Sequence, residues 1–229
     1  MENIKSKYTN EHILKSSKHL YPTEWLIRTM LGKYPDLVFD KSCYDGGKIL
    51  DIGFGDGRNF QLFDNIGLDI YGVEITEEIV SLAKNKMKYL NLTAKLVVGN
   101  NNNLPFDSDF FDVVVACSSF YYIDKGSNFG DNIKEYNRVL KSDGILIVNF
   151  PEITKNFICK NAINLGDNHL VIQNDIHNLR NGYVFKAFES KEEIYKLFAP
   201  HYKNICIGYL YEEYFGYELS GYIMVATKK

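Results

Sequence analysis

Proline and tryptophan are scarce in this chain, five and one among 229 residues. No apolar run approaches the roughly 18 to 20 residues that a membrane-spanning helix needs. The opening stretch MENIKSKYTNEHILKSSKHL has no apolar core of the kind a signal peptide carries. These absences predict a cytoplasmic protein without a membrane partner. Cysteine is sparse too: Cys43, Cys117, Cys159 and Cys206 stand far apart, with neither Cys-x-x-Cys spacing nor a nearby histidine pair. That pattern argues against a zinc site and predicts four reduced thiols and no metal. Nor is there an excess of base, since 26 Lys and Arg face 29 Asp and Glu, for a formal charge of −3. A polyanion such as nucleic acid is therefore not the expected main partner. Internal repeats are missing as well, and the run Asn100 to Asn103 is the one short biased segment. Abundant Asn, Lys, Ile and Tyr fit an AT-rich, bacterial coding source.

What the chain does have is length and apolar content for one large α/β domain, with 45% hydrophobic and 24% charged residues. Its organising stretch is ILDIGFGDGRN, residues 49–59. Ile49, Leu50 and Ile52 suit a buried strand, and Gly53, Gly55 and Gly57 remove the side chains that would hold backbone away from a ligand. A helix is expected from about 58, its free N–H groups facing the turn. The dinucleotide fingerprint G-x-G-x-x-G fails, because its third glycine would fall on Arg58. From there strands and helices alternate, which predicts a parallel, doubly wound sheet. Strands are expected at 48–52, 70–74, 94–98, 111–116 and 144–150, and helices at 58–63, 77–89 and 128–140, the last closed by Lys141 and Gly144. Before them, 22–31 reads as a helix with Pro22 in its first turn. After Pro151 the alternation lapses, and 152–182 reads as a cap without periodicity. It resumes with a short strand at 184–188, a helix at 190–198 capped by Ser190, and a tyrosine-rich hairpin at 202–211 and 217–227. One domain results: a helical arm at 1–47, whose first twenty residues suit a mobile arm or a short helix, a core at 48–150, a cap at 151–189, and a terminal helix and hairpin at 190–229.

The turn is a hydrophobic-hydrophobic-Asp-x-Gly-x-Gly-x-Gly stretch, and it resembles motif I of the class I S-adenosylmethionine-dependent methyltransferases. Further resemblances follow at the right distances. Glu74 ends a strand some twenty residues on; Leu104-Pro105-Phe106 and Phe111-Asp112-Val113 match the family's next strand entry; RVLKSDGILIVNFPE matches its later helix, turn and strand, with Asp143 in place of the first glycine. Asn100 stands where the family usually has Asp. The resemblance implies a Rossmann-like sheet of seven mostly parallel strands with an antiparallel C-terminal hairpin strand, and S-adenosylmethionine as cofactor. It implies that Asp51, Gly53 and Gly55 line the methionine end, Glu74 the ribose, Ile75, Asn100 and Asn101 the adenine, and Cys117 the region near the sulfonium. For the α-carboxylate the candidates are Arg28, with Tyr21 beside it, and its rival Arg58, since a guanidinium can hold a carboxylate through two bonds.

A sulfonium methyl is already activated, so a base is optional. If the acceptor is a hydroxyl, base candidates near the strand ends are Tyr121, Tyr122, Asp124, Glu152, His169 and His177. Each also has a plainer role as pocket wall or solvated loop residue. The stretch CSSFYY lacks the Asp/Asn-Pro-Pro-Tyr and Pro-Cys signatures of base-methylating DNA enzymes. The expected reaction is methyl transfer to O or N of a small molecule, such as a sugar or a cell-surface polysaccharide precursor. An aminopropyltransferase of the same fold and an inactive S-adenosylmethionine-binding protein stay open as alternatives. Oligomeric state is not legible.

Overall fold

The computed structural model describes residues 6–7, 20–175 and 180–229. The expectations for the rest of the 1–20 arm and for His177 lie outside the described residues. Five strands build the core sheet: β1 (Lys48–Ile52), β2 (Asp69–Glu74), β3 (Ala94–Val98), β4 (Phe111–Ala116) and β6 (Leu140–Pro151). Strand β5 (Tyr122–Ile123) belongs to the cap. The terminal hairpin of β10 (Tyr202–Tyr214) and β11 (Tyr217–Lys228) completes seven strands in the order β10-β11-β6-β4-β1-β2-β3. Strand β11 runs antiparallel to both neighbours, whereas β1 pairs parallel with β2 and β4. The order reverses beside β1, so the strand ends around Ile52 and Ala116 flank a crevice of the kind in which doubly wound sheets bind ligands.

Both faces of the sheet are covered, which is why its strands are nearly continuously apolar. Ile49, Ile70, Val113, Ile145 and Val225 face a core shared with α1 (Glu24–Leu31), α2 (Phe60–Asn65) and α3 (Glu77–Tyr89). Leu50, Val114, Leu146, Met224 and Ala226 face the opposite core, with α4 (Phe129–Val139), α5 (Lys191–Phe198) and the cap. Side chains alternate between the faces, so a slip of one residue would exchange the two cores.

The family-like segments outside the turn act as braces. Leu104 N–H donates to Glu135 Oε1 at 2.7 Å, and Arg138 on the same helix donates to the carbonyls of Leu104 and Phe106 at 3.0 and 2.8 Å. Asp112 accepts from the N–H of Lys48 at the start of β1 and from Lys141 Nζ, each at 2.8 Å.

Several boundaries differ from expectation. Helix α1 begins at Glu24, with Thr23 extended before it, so Pro22 precedes the cap and is not in the first turn. Helix α2 starts at Phe60, because the third glycine and Arg58 are spent on a tight turn in which Phe60 N–H reaches Gly57 O at 3.0 Å. Helix α4 stops at Val139, and the left-handed residue after it is Asp143 (φ 62°), not Gly144. The cap is not irregular: β7 (Ile163–Gly166), β8 (His169–Val171) and β9 (Val184–Lys186) join β5 in an antiparallel sheet of order β5-β9-β8-β7. Those strands are three or four residues long, too short to show a period. Because β5 follows the loop after β4, the cap is fastened over the C-terminal ends of the core strands.

Candidate active site

The chain leaves β1 through Gly53, Gly55 and Gly57, all left-handed, with φ of 72°, 58° and 75°. At Gly53 there is a second reason for glycine. A Cβ there would stand 2.5 Å from the Cβ of Ser119, whose hydroxyl donates to Ile52 O at 2.5 Å. The loop after β4 thus packs directly on the turn.

Glu74, at the end of β2, is 2% exposed and accepts from Gly55 N–H at 2.9 Å and from Ile75 N–H at 2.8 Å. Burial raises its pKa against these two hydrogen bonds. Its carboxylate therefore shapes the glycine turn itself, while a carboxylate oxygen can accept a further bond from a ligand hydroxyl. Asp51, 1% exposed, lies on the opposite face of β1 from Leu50 and Ile52. Burial pushes its pKa up to about 7, opposed by Asn59 and reinforced by Glu74 and Asp56. Asn59 Nδ2 reaches Asp51 Oδ2 at 3.5 Å, and Asn59 Oδ1 accepts from Thr23 N–H at 3.0 Å, tying the start of α1 to the turn. Asp51 Oδ1 has no hydrogen-bond partner among the described residues.

Across the strand ends lies a cavity of about 230 Å³, walled by Gly53, Glu74, Ile75, Asn100, Asn101 and Cys117 and closed by Tyr122, Asp124 and Tyr183. Asn100 Oδ1 is buried there without a hydrogen-bond partner among the described residues, an acceptor suited to an amino group. Asn101 has a different duty. Its Nδ2 donates to the carbonyls of Ser119 and Tyr122 at 2.9 and 3.0 Å, and its Oδ1 accepts from Tyr136 at 2.8 Å. With Asn132, which also donates to Tyr122 O at 2.9 Å, it fixes the loop after β4.

A second cavity of about 460 Å³ adjoins the first and shares with it Gly53, Cys117, Ser118 and Arg180. Its walls include the rings of Trp25, Tyr121, Phe157, Tyr214, Tyr217 and Tyr222 together with the charged Glu24, Asp56, Arg58 and Glu212. Burial, with Tyr122 beside it, keeps Tyr121 a neutral phenol, and burial likewise keeps Cys117 a thiol.

Not every expected residue arrives. Arg28 turns along its own helix to Glu24, 2.7 Å away, is two-thirds exposed and lines neither cavity. Tyr21 is 78% exposed and lines neither. Arg58 does reach the larger cavity, paired with Asp56 at 3.3 Å. Glu152 is folded into a turn, where burial opposes its charge but bonds from Thr154, Lys155 and Ser220 hold its pKa below the usual range. His169 belongs to a separate cavity beside the start of α4, near Asp167 and Lys186. Tyr122 and Asp124 line the smaller cavity, and Tyr121 the larger. Sequence reasoning missed Asn59, Arg180 and Tyr183. Asn59 had a signal in its place just past the glycines, whereas the cap residues had none.

Comparison with known proteins agrees with this fold. The family described as "Methyltransferase domain" matches residues 50–148. An uncharacterised protein of Methanocaldococcus jannaschii, MJ1252, is 31% identical over 156 residues, 68% of this chain and 56% of its own. The putative methyltransferase YqeM of Bacillus subtilis is 29% identical over 108 residues, 47% of this chain and 44% of its own. The chain thus spans about half the length of these curated relatives. Among solved structures, a SAM-dependent methyltransferase of Methanosarcina mazei superposes with a TM-score of 0.63 at 21% identity, covering 86% of this chain and 99% of that one. With the seven-stranded order in place, the chain has the fold of the class I S-adenosylmethionine-dependent methyltransferases, and its residues 50–148 match the methyltransferase domain family.

Proposed function

We propose that this protein transfers the methyl group of S-adenosylmethionine to an oxygen or nitrogen of a small molecule seated in the larger cavity. The observation that carries the reading is the pair of joined cavities, one fitted to a nucleoside and the other walled by aromatic rings. In the smaller, Glu74 takes the ribose hydroxyls and Asn100 Oδ1 accepts from the adenine amino group. The amino-acid end lies toward Thr23 and Arg58, and Arg28 has no part in holding it.

When bound, the cofactor supplies an activated methyl on a sulfonium. The protein's share is alignment and exclusion of water. Ser118 and Cys117 wall the junction between the cavities, and Ser118 is held by its N–H to Asn149 Oδ1 at 2.6 Å. Tyr121 and Tyr122 orient the acceptor, and Asp124 is the remaining base candidate within the cavities. Aromatic walls and carboxamides accommodate a sugar ring or another flat acceptor. Calorimetric titration with S-adenosylhomocysteine tests the cofactor half of the proposal. Incubation with methyl-labelled cofactor and a fractionated metabolite extract tests the other, the expected result being label in a low-mass fraction. Absence of binding would refute the reading.

A further inference from the structure

Arg180 is the residue in this site that the cofactor does not explain. Among the described residues it is the one cation that lines both cavities, at the junction where the sulfonium of the proposed reaction would stand. Its side chain is 19% exposed and is held from behind by Asp175, itself 1% exposed. Nη2 donates to Asp175 Oδ1 at 2.7 Å and Nε to Oδ2 at 3.3 Å. The Arg180 backbone N–H also reaches Oδ2, at 3.2 Å, and Asp175 N–H donates to Asn181 Oδ1 at 2.9 Å, so the carboxylate is fixed by its own loop. The guanidinium lies 5.4 Å from the centre of the Phe157 ring. A guanidinium has five N–H donors; Asp175 engages two of them, and Tyr217, a wall of the larger cavity, also hydrogen-bonds the guanidinium, so a ligand there meets the donors that these two leave.

We propose that Arg180 is a specificity-determining residue that selects an acceptor bearing a carboxylate on a flat ring. The inference rests on the methyl-transfer reading above and deepens it. Electrostatics favours an anion here. Asp175 pairs with the guanidinium from behind, while Glu74 and Asp124 lie on the smaller-cavity side, so an acceptor carboxylate would be drawn to the guanidinium from the side of the larger cavity, beside the methyl group. Arg is suited to the task because its planar fork grips a carboxylate through two bonds while its face rests on an aromatic ring. The tyrosine and phenylalanine walls complete a slot for a ring.

The test uses the full chain saturated with S-adenosylhomocysteine and titrated with 4-hydroxybenzoate, and separately with 4-hydroxybenzamide. The carboxylate is expected to bind about thirtyfold more tightly than the amide, the range of hydrogen bonds to a charged group. Arg180→Lys should lose most of that preference and Arg180→Met all of it, each with a much smaller change in S-adenosylhomocysteine affinity than in affinity for the acid. Because Arg180→Met strands the buried Asp175, the double variant Asp175→Asn with Arg180→Met supplies a folded neutral control. Equal binding of acid and amide, or no binding of the acid to the loaded protein, overturns the proposal. So does a loss of S-adenosylhomocysteine affinity on Arg180→Met as large as the loss for the acid, which would give Arg180 to the cofactor's own carboxylate. Failure of the wild-type chain to bind S-adenosylhomocysteine is a separate result and refutes the methyltransferase reading itself.

Discussion

Two buried carboxylates and two exposed arginines carry predictions at the scale of single residues. Glu74 holds the N–H groups of Gly55 and Ile75 and faces the nucleoside cavity. Glu74→Ala should cost about 2 to 4 kcal/mol of S-adenosylhomocysteine binding by calorimetry, and Glu74→Gln less. A cost under about 0.5 kcal/mol would leave Glu74 as a brace of the turn and nothing more. Asp51 is tested by pH. Its folded pKa of about 7 exceeds the ordinary value of 3.8, so the folded state keeps a proton that the unfolded chain has lost. Stability from this site is therefore full below the ordinary value and is lost as pH rises through about 7. Asp51→Asn should stabilise the ligand-free protein, by a gain that grows between about pH 4 and 7 to at most about 4 kcal/mol. A gain independent of pH in thermal melts would show that Asp51 titrates normally. The two arginines part company in the same way. Arg58→Ala should weaken S-adenosylhomocysteine but not its decarboxylated analogue, whereas Arg28→Ala should alter neither, since Arg28 is exposed and paired with Glu24. At this scale the sequence pointed to Asp51, Gly53, Gly55 and Glu74 through the resemblance of their motifs to the methyltransferase family. It did not show that Glu74 reaches back to the turn or that Gly53 leaves room for Ser119, because both contacts cross between strands.

Among the elements, the junction from α4 to β6 is the most exposed to test. Asp143 takes a left-handed conformation that costs an L-residue with a Cβ and glycine nothing, and its ion pair with Lys203 joins two largely solvated groups. Asp143→Gly should therefore raise stability by about 0.5 to 1 kcal/mol, read from denaturant midpoints, and a decrease would mean that the Lys203 pair outweighs the strain. Helix α3 came out with the bounds its periodicity and capping pattern suggested, Glu77–Tyr89, with Thr76 accepting from Ile79 N–H at 3.3 Å. Helix α2 did not, since a run of three left-handed glycines uses up the residues that the helical pattern claimed. Strand β9 falls within the short strand expected at 184–188, but β7 and β8 escaped notice because three or four residues carry no measurable alternation, and the order of the cap sheet comes from pairing with β5 and from burial of Leu170 and Phe185.

Over the whole molecule, ligand binding and stability are linked. S-adenosylhomocysteine at a hundred times its dissociation constant should add about 2.7 kcal/mol, or roughly 5 to 10 °C in melting temperature for a chain of this size. Gly55→Val should abolish most of that shift while the variant still melts cooperatively, because a β-branched residue at φ 58° distorts the turn without entering either core. An undiminished shift would exclude the turn from the cofactor site. The alternation of strand and helix and the apolar runs were enough by themselves to point to the doubly wound sheet, because those features are local and periodic, and the spaced motifs pointed to its antiparallel terminal strand through the family resemblance. The larger cavity was decided by tertiary structure alone. Its walls come from α1, the loop after β4, the cap and the hairpin, segments separated by as much as the length of the chain. Arg180 becomes a site residue only when a 1% exposed Asp175 turns it inward, a placement that burial and pairing impose and that no spacing in the sequence encodes.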